Sequence, residues 1–79
     1  MINGWHAYEA EPDVWRLAFR NRCLNDGGTP LAFARKLDVE LAIRSLLEVG
    51  LTSPTKVFAY QKRHGGTATK YLIYRYLQW

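Results

Sequence analysis

The sequence predicts an α+β domain in which three helices in the N-terminal part precede a basic β-hairpin at the C-terminus. Prolines occur where helices could begin and glycines occur where helices could end: Pro12, Pro30 and Pro54, and Gly27-Gly28, Gly50 and Gly65-Gly66. Aromatic and β-branched residues, which favour strands, dominate residues 71–79. A chain of 79 residues has room for one hydrophobic core, so residues 1–79 are expected to form a single domain.

The first predicted helix runs from Pro12 to about Asn25. Its apolar residues, which include Trp15 and Phe19, cover most of the helix circumference and leave a narrow polar stripe. A helix with this pattern is expected to be mostly buried. Its aromatic side chains are therefore predicted to belong to the core rather than to a ligand site.

The next predicted region, residues 30–49, divides into two helices. At about 100° per residue, the apolar residues of 31–37 and those of 39–49 point in directions that differ by roughly 150°. One straight helix cannot direct both groups to the same core. The sequence therefore predicts a short helix, a turn at Leu37-Asp38, and a second helix that is capped by Asp38 and ends at Gly50.

The last third of the chain allows two interpretations. Two aromatic runs on either side of Gly65-Gly66 favour a β-hairpin. The Ser53-Pro54 helix start and the helical spacing within residues 72–77 favour a helix pair instead, which gives an all-α alternative of four short helices. Residues 2–8 are a candidate for a short edge strand.

Charge is distributed unevenly along the chain. Residues 1–50 hold six basic and seven acidic side chains, whereas residues 51–79 hold five basic side chains and no Asp or Glu. A stretch of 29 residues without acid leaves a positive potential that attracts polyanions. The sequence therefore predicts that nucleic acid, with DNA favoured, binds this segment. The alternative is that these lysines and arginines only keep a hairpin edge soluble.

Several other classes of protein are not expected from the sequence. Cys23 is the only cysteine, so no internal disulfide can form, and no group of residues has the spacing of a zinc site. Paired carboxylates, phosphate loops and catalytic triads are not recognisable either, so we expect neither an enzyme nor a cofactor. The sequence shows no apolar run of membrane-spanning length and no signal peptide at its start, which predicts a cytoplasmic protein without a membrane partner.

The order of predicted elements resembles that of the winged-helix and helix-turn-helix superfamily. Residues 34–39, Ala-Arg-Lys-Leu-Asp-Val, resemble the end of a first helix and its turn, and residues 47–51, Leu-Glu-Val-Gly-Leu, resemble the close of the following helix before a wing. In the all-α alternative, residues 56–65 together with residues 73–77 are similar to transposase- and resolvase-type helix-turn-helix motifs. Either resemblance implies a DNA-binding transcriptional regulator or accessory factor.

Candidate site residues are the cations of the C-terminal segment, the tyrosines between them and the cations around the central turn. Lysine and arginine replace counterions on phosphates, and an exposed aromatic ring that stacks on a base contributes about 1–3 kcal/mol. The predicted nucleic-acid-binding residues are Arg35, Lys36, Arg44, Lys56, Tyr60, Lys62, Arg63, Lys70, Tyr74 and Arg75.

A protein partner is the alternative prediction. Residues 74–79, Tyr-Arg-Tyr-Leu-Gln-Trp, have the composition of an interface core. Small basic proteins of phages and mobile elements often bind and inhibit a host protein complex, and this chain would suit that role. A homodimer through the same face would suit DNA binding at two half-sites.

Overall fold

A computed structural model of the chain describes residues 4–20, 22–26 and 29–77. Within these ranges the protein is α+β, with a four-stranded sheet in the N-terminal part followed by three helices. The predicted winged-helix-like order of helices followed by a hairpin is wrong, and the all-α alternative is wrong too. Gly27-Gly28, Gln78 and Trp79 lie outside the described residues.

The N-terminal part is a β-hairpin of β1 (Trp5–Glu11) and β2 (Val14–Phe19). Its tight turn places Asp13 in the left-handed region at φ 64°, a conformation that Asp adopts more readily than most residues. The predicted helix from Pro12 to Asn25 is therefore wrong. A run of apolar residues that would cover the whole circumference of a helix is also compatible with a strand. The aromatic and β-branched residues of 14–19 favour the strand.

Four short strands follow the hairpin: β3 (Arg22–Cys23), β4 (Asn25–Asp26), β5 (Thr29–Pro30) and β6 (Ala32–Phe33). β3 and β6 both pair antiparallel with β2, on the side opposite β1, while β4 and β5 form a separate two-stranded sheet. The predicted short helix over residues 30–37 is therefore wrong. Its apolar residues Leu31 and Phe33 are buried, but from an extended backbone.

The first helix is α1 (Lys36–Glu48), which begins two residues before the predicted cap. Asp38 lies in the first turn and accepts hydrogen bonds from the side chain of Arg35 instead of capping the helix. The predicted C-terminal end of this helix is close to the observed one. Gly50 follows the helix at φ 81°, and the N–H of Leu51 donates a hydrogen bond to the carbonyl of Leu46. Val49, predicted to face the core, is exposed.

The last third of the chain is helical. α2 (Pro54–His64) begins at the predicted Ser53-Pro54 start, and α3 (Gly66–Tyr74) follows after Gly65 alone. The favoured β-hairpin is wrong for this segment. The strand preference of its aromatic residues is outweighed because the helix places Leu72 and Ile73 together in the core.

The core lies between the sheet and the helices. Its largest fully buried side chains are Trp5 of β1, Leu17 of β2 and Leu46 and Val39 of α1. The indole N–H of Trp5 donates to the carbonyl of Leu51 at 3.1 Å, which ties the sheet to the end of α1. Further core residues are Leu24, Leu31, Phe33, Ala42, Ile43, Leu51, Val57, Leu72 and Ile73.

Replacement of Leu46 by Ala is expected to lower the free energy of unfolding by about 2–5 kcal/mol, since the side chain is fully buried and leaves a cavity. Chemical denaturation monitored by circular dichroism measures this loss. The control is Val49→Ala at the residue directly after the same helix, which shortens an exposed side chain and should change the unfolding free energy little. Equal losses in both variants would contradict the assigned core face.

Candidate nucleic-acid interface

Helix α2 presents a cationic face to solvent. Lys56 and Arg63 are seven residues apart and point within about 20° of each other on the helix, and Lys62 lies about 100–120° further round its exposed side. All three side chains are exposed. Among the residues that the structure describes, none of the three has an acidic partner within ion-pair distance. We call Lys56, Lys62 and Arg63 the α2 cationic face.

Most of the circumference of α2 is open to solvent. Val57 is its only buried residue, and Pro54 and Tyr60 are half-buried. Tyr60 packs against the edge of the core, and its ring lies 4.4 Å from the ring of His64 at a tilt of 40°. Tyr60 is therefore a packing residue of this helix.

Helix α3 extends the basic surface and adds an exposed aromatic ring. Lys70 is exposed and lines a narrow crevice between α2 and α3, together with Phe58 and Gln61. Tyr71, the next residue, is 66% exposed, and Phe58 on α2 is 51% exposed. Flat apolar rings therefore lie on the same two helices as the cations.

Arg75 and Arg44 do not join this surface. The guanidinium of Arg75 donates to Glu48 at 2.7 Å, and Arg44 lies 3.6 Å from the other oxygen of the same carboxylate. The hydroxyl of Tyr76 also donates to Glu48. A single carboxylate from α1 thus pairs with cations from two parts of the chain. The acid-free composition of residues 51–79 did not reveal this pairing, because Glu48 lies outside that segment.

The carboxylate of Glu48 has a lowered pKa. The hydrogen bond from the Tyr76 hydroxyl is the largest cause, and the positive charges of Arg75 and Arg44 act in the same direction. The same hydrogen bond raises the pKa of Tyr76. Because the folded pKa of Glu48 is lowered, its ionised form stabilises the fold at neutral pH, and this stabilisation is lost as pH falls through that pKa.

The remaining predicted site residues are also dispersed. Arg35 precedes α1 and pairs with Asp38 at 2.6 Å, a contact that raises the pKa of Arg35. Lys36 lies at the start of α1, beside the N-terminal sheet. Tyr74 is half-buried, with its ring 5.6 Å from that of Phe33. Of the ten predicted residues, the structure therefore places only Lys56, Lys62, Arg63 and Lys70 on exposed parts of α2 and α3.

Two exposed aromatic residues, Phe58 and Tyr71, were not among the predicted site residues. On helix α2, Phe58 lies about 100° round from the buried Val57 and is exposed to solvent. Tyr71 belongs to the predicted hairpin, whereas the structure places it on helix α3 and exposes it to solvent. The Ser53-Pro54 helix start is the sequence signal that favours helices here, and a helical interpretation would have identified both aromatic residues as candidates for the surface.

A second surface feature is an open cleft between β1 and α1. It encloses about 790 Å³ and is bordered by residues 5–7 of β1 and by one long side of α1. The side chains from α1 are Lys36, Glu40, Ile43, Arg44, Leu47 and Glu48. Positive and negative residues alternate along this side, with Ile43 and Leu47 between them.

Replacement of Tyr76 by Phe should raise the pKa of Glu48 towards that of an ordinary glutamate, because the hydroxyl that stabilises the carboxylate is removed. An NMR titration of the Glu48 side-chain carboxyl group measures the change. The matched control is Tyr8→Phe, which removes an exposed hydroxyl on β1. An unchanged Glu48 pKa in Tyr76→Phe would show that the hydrogen bond does not form in solution.

None of the described helices is long and apolar enough to cross a membrane. Comparisons of the chain with protein-family models, with curated proteins and with solved structures give no match.

Proposed function

We propose that the chain is a small nucleic-acid-binding protein without catalytic chemistry of its own, and that the α2 cationic face, continued by Lys70, contacts the phosphates. DNA is the favoured ligand. The observation that carries this proposal is the grouping of three exposed cations on one helix without an acidic partner among the described residues.

Electrostatics supply the first part of the argument. Lys56 and Arg63 are separated by about 10 Å along the helix axis, at 1.5 Å per residue. Phosphates follow each other closely along a nucleic-acid strand, so cations at this separation can contact several of them at once. Each contact releases counterions, and the resulting affinity falls as salt is added. Arg63 can also bind one phosphate or a guanine edge through two hydrogen bonds.

The shape of α2 supplies the second part. The major groove of DNA, about 12 Å wide, admits an α-helix. Because Val57 alone is buried, α2 leaves most of its circumference available for such a contact. The exposed rings of Phe58 and Tyr71 offer apolar or stacking contacts with bases, each worth about 1–3 kcal/mol when a base stacks.

Two other interpretations of the C-terminal part make different predictions. Lys62 and Arg63 occupy the last turn of α2, where cations stabilise a helix through its dipole without any ligand. The second interpretation is that residues 74–79 bind a host protein. Several side chains of this segment already have contacts within the chain, since Tyr74 packs on Phe33 while Arg75 and Tyr76 bind Glu48.

The test is binding of the protein to labelled duplex DNA at several salt concentrations. The wild-type affinity should fall steeply with salt. The variant Lys56→Gln/Lys62→Gln/Arg63→Gln should bind much more weakly, and its slope of log affinity against log salt should be shallower by roughly 2–3. Fluorescence anisotropy measures both quantities, and circular dichroism checks that the variant is folded.

A matched control removes the same number of charges from the N-terminal half, by Arg20→Gln/Arg22→Gln/Arg35→Gln. Its salt slope should remain close to that of the wild type. If the two triple variants had equal slopes of log affinity against log salt, any binding would depend on net charge alone. Absence of binding at low salt, to duplex and to single strands, would refute the proposal and leave the helix-dipole role.

A further inference from the structure

The outer edge of β1 carries main-chain groups that do not pair with β2. The N–H of Arg20 donates to the carbonyl of Gly4, and the N–H of Leu24 donates to Leu17 on the other side of β2. Antiparallel pairs alternate, so Gly4, His6 and Tyr8 exchange hydrogen bonds with β2. The N–H and C=O groups of residues 5, 7 and 9 therefore point to the open side. No other segment pairs with this edge in the part of the chain that the structure describes.

The side of α1 that borders the cleft carries charges in a self-complementary order. Lys36, Glu40, Arg44 and Glu48 recur every four residues and alternate in sign. If two such helices lie antiparallel, centred at the level of residue 42, Lys36 meets Glu48 of the second helix and Glu40 meets Arg44. Every charged position then faces one of opposite sign, and the symmetry repeats each pair.

We propose that two copies of the chain associate through this surface as a two-fold dimer, with β1 paired to β1 and α1 beside α1. A two-fold axis between antiparallel edge strands is perpendicular to the sheet, so both helices lie on the same face of the joined sheet. Because α1 packs over β1 and β2, the two helices then flank the seam. In such a two-fold interface, each copy contributes the same surface patch.

Apolar side chains follow the same symmetry. Around residue 42, Leu47 faces Leu37 of the second helix. Leu37 is 51% exposed in the single chain, although it is a large apolar residue, and Leu47 is half-buried. The pairing of the two helices covers these side chains, which gives the contact an apolar centre between its charged pairs.

The strand pairing has a defined register. The register shift between Glu9 and Glu11 limits the regular part of β1 to residues 5–9, whose centre is Ala7. If the two strands pair symmetrically about Ala7, the outward main-chain groups of residues 5, 7 and 9 all form hydrogen bonds. Glu9 then lies opposite Trp5 of the second copy. His6 and Tyr8, which is exposed in the single chain, become cross-strand neighbours. In this register the two Glu9 carboxylates do not face each other.

The first test measures the molar mass in the absence of nucleic acid, by sedimentation equilibrium over a range of protein concentrations. We expect a species of twice the chain mass of 9.2 kDa. Arg44→Glu and Glu40→Arg should each weaken association at least tenfold, since each brings like charges together. The double variant Glu40→Arg/Arg44→Glu exchanges the signs and should restore association to nearly the wild-type level.

The second test traps the register with a disulfide, in a Cys23→Ser background. Ala7→Cys places two thiols at a hydrogen-bonded pair with Cα atoms about 5.5 Å apart, within disulfide range, and should give a covalent dimer on mild oxidation. The control Ala10→Cys, also on β1, places its thiols about 20 Å apart at 3.3 Å per residue and should give none.

A monomeric wild type at millimolar concentration would overturn the proposal, as would a double variant no stronger in association than either single variant. Equal crosslinking of both cysteine variants would overturn the register and the strand pairing with it. These tests leave the α2 cationic face unaltered. Their failure is therefore distinguishable from a failure of DNA binding.

Discussion

Helix α1 has to bury two sides at once, and the rest of the fold is arranged around this requirement. One side packs against β1 and β2, and another packs against α3. Val39, Ala42 and Leu46 are fully buried as a result, and even the polar Ser45 is buried, with its hydroxyl donating to the carbonyl of Leu72. The sheet and the C-terminal helices are thus held through one element of 13 residues.

Local signals in the sequence identified only some of the helix boundaries, since Pro12 lies in the hairpin turn and Pro30 in strand β5. Ser53-Pro54 and Gly50 mark real helix ends, because proline and glycine act through the backbone of their immediate neighbours. The sequence predicts a helix over residues 14–19, where the structure forms a strand, because an apolar run buried on several sides has no clear period. The strand is selected by its pairing with β1, a contact that no local pattern encodes.

The candidate site was predictable only in part, for the same reason. The excess of positive charge in residues 51–79 belongs to the composition and therefore persists in the fold. Its distribution over the surface depends on contacts between distant residues. Glu48 and Arg75 are 27 positions apart in sequence, yet they form an ion pair and remove Arg75 from the exposed cations. Lys56, Lys62 and Arg63 remain together because they share one helix.

The two edges of the sheet differ in length, with a consequence for how far assembly can proceed. Among the described residues, β3 and β6 pair with the other side of β2, and each is two residues long. Such fragments offer too few main-chain groups in line to template another strand. If a second copy covers β1, no comparable edge remains in the described part of the sheet, so strand addition would stop there. The proposed dimer would thus limit open-ended polymerisation into fibres, to which one long exposed edge strand otherwise predisposes a protein.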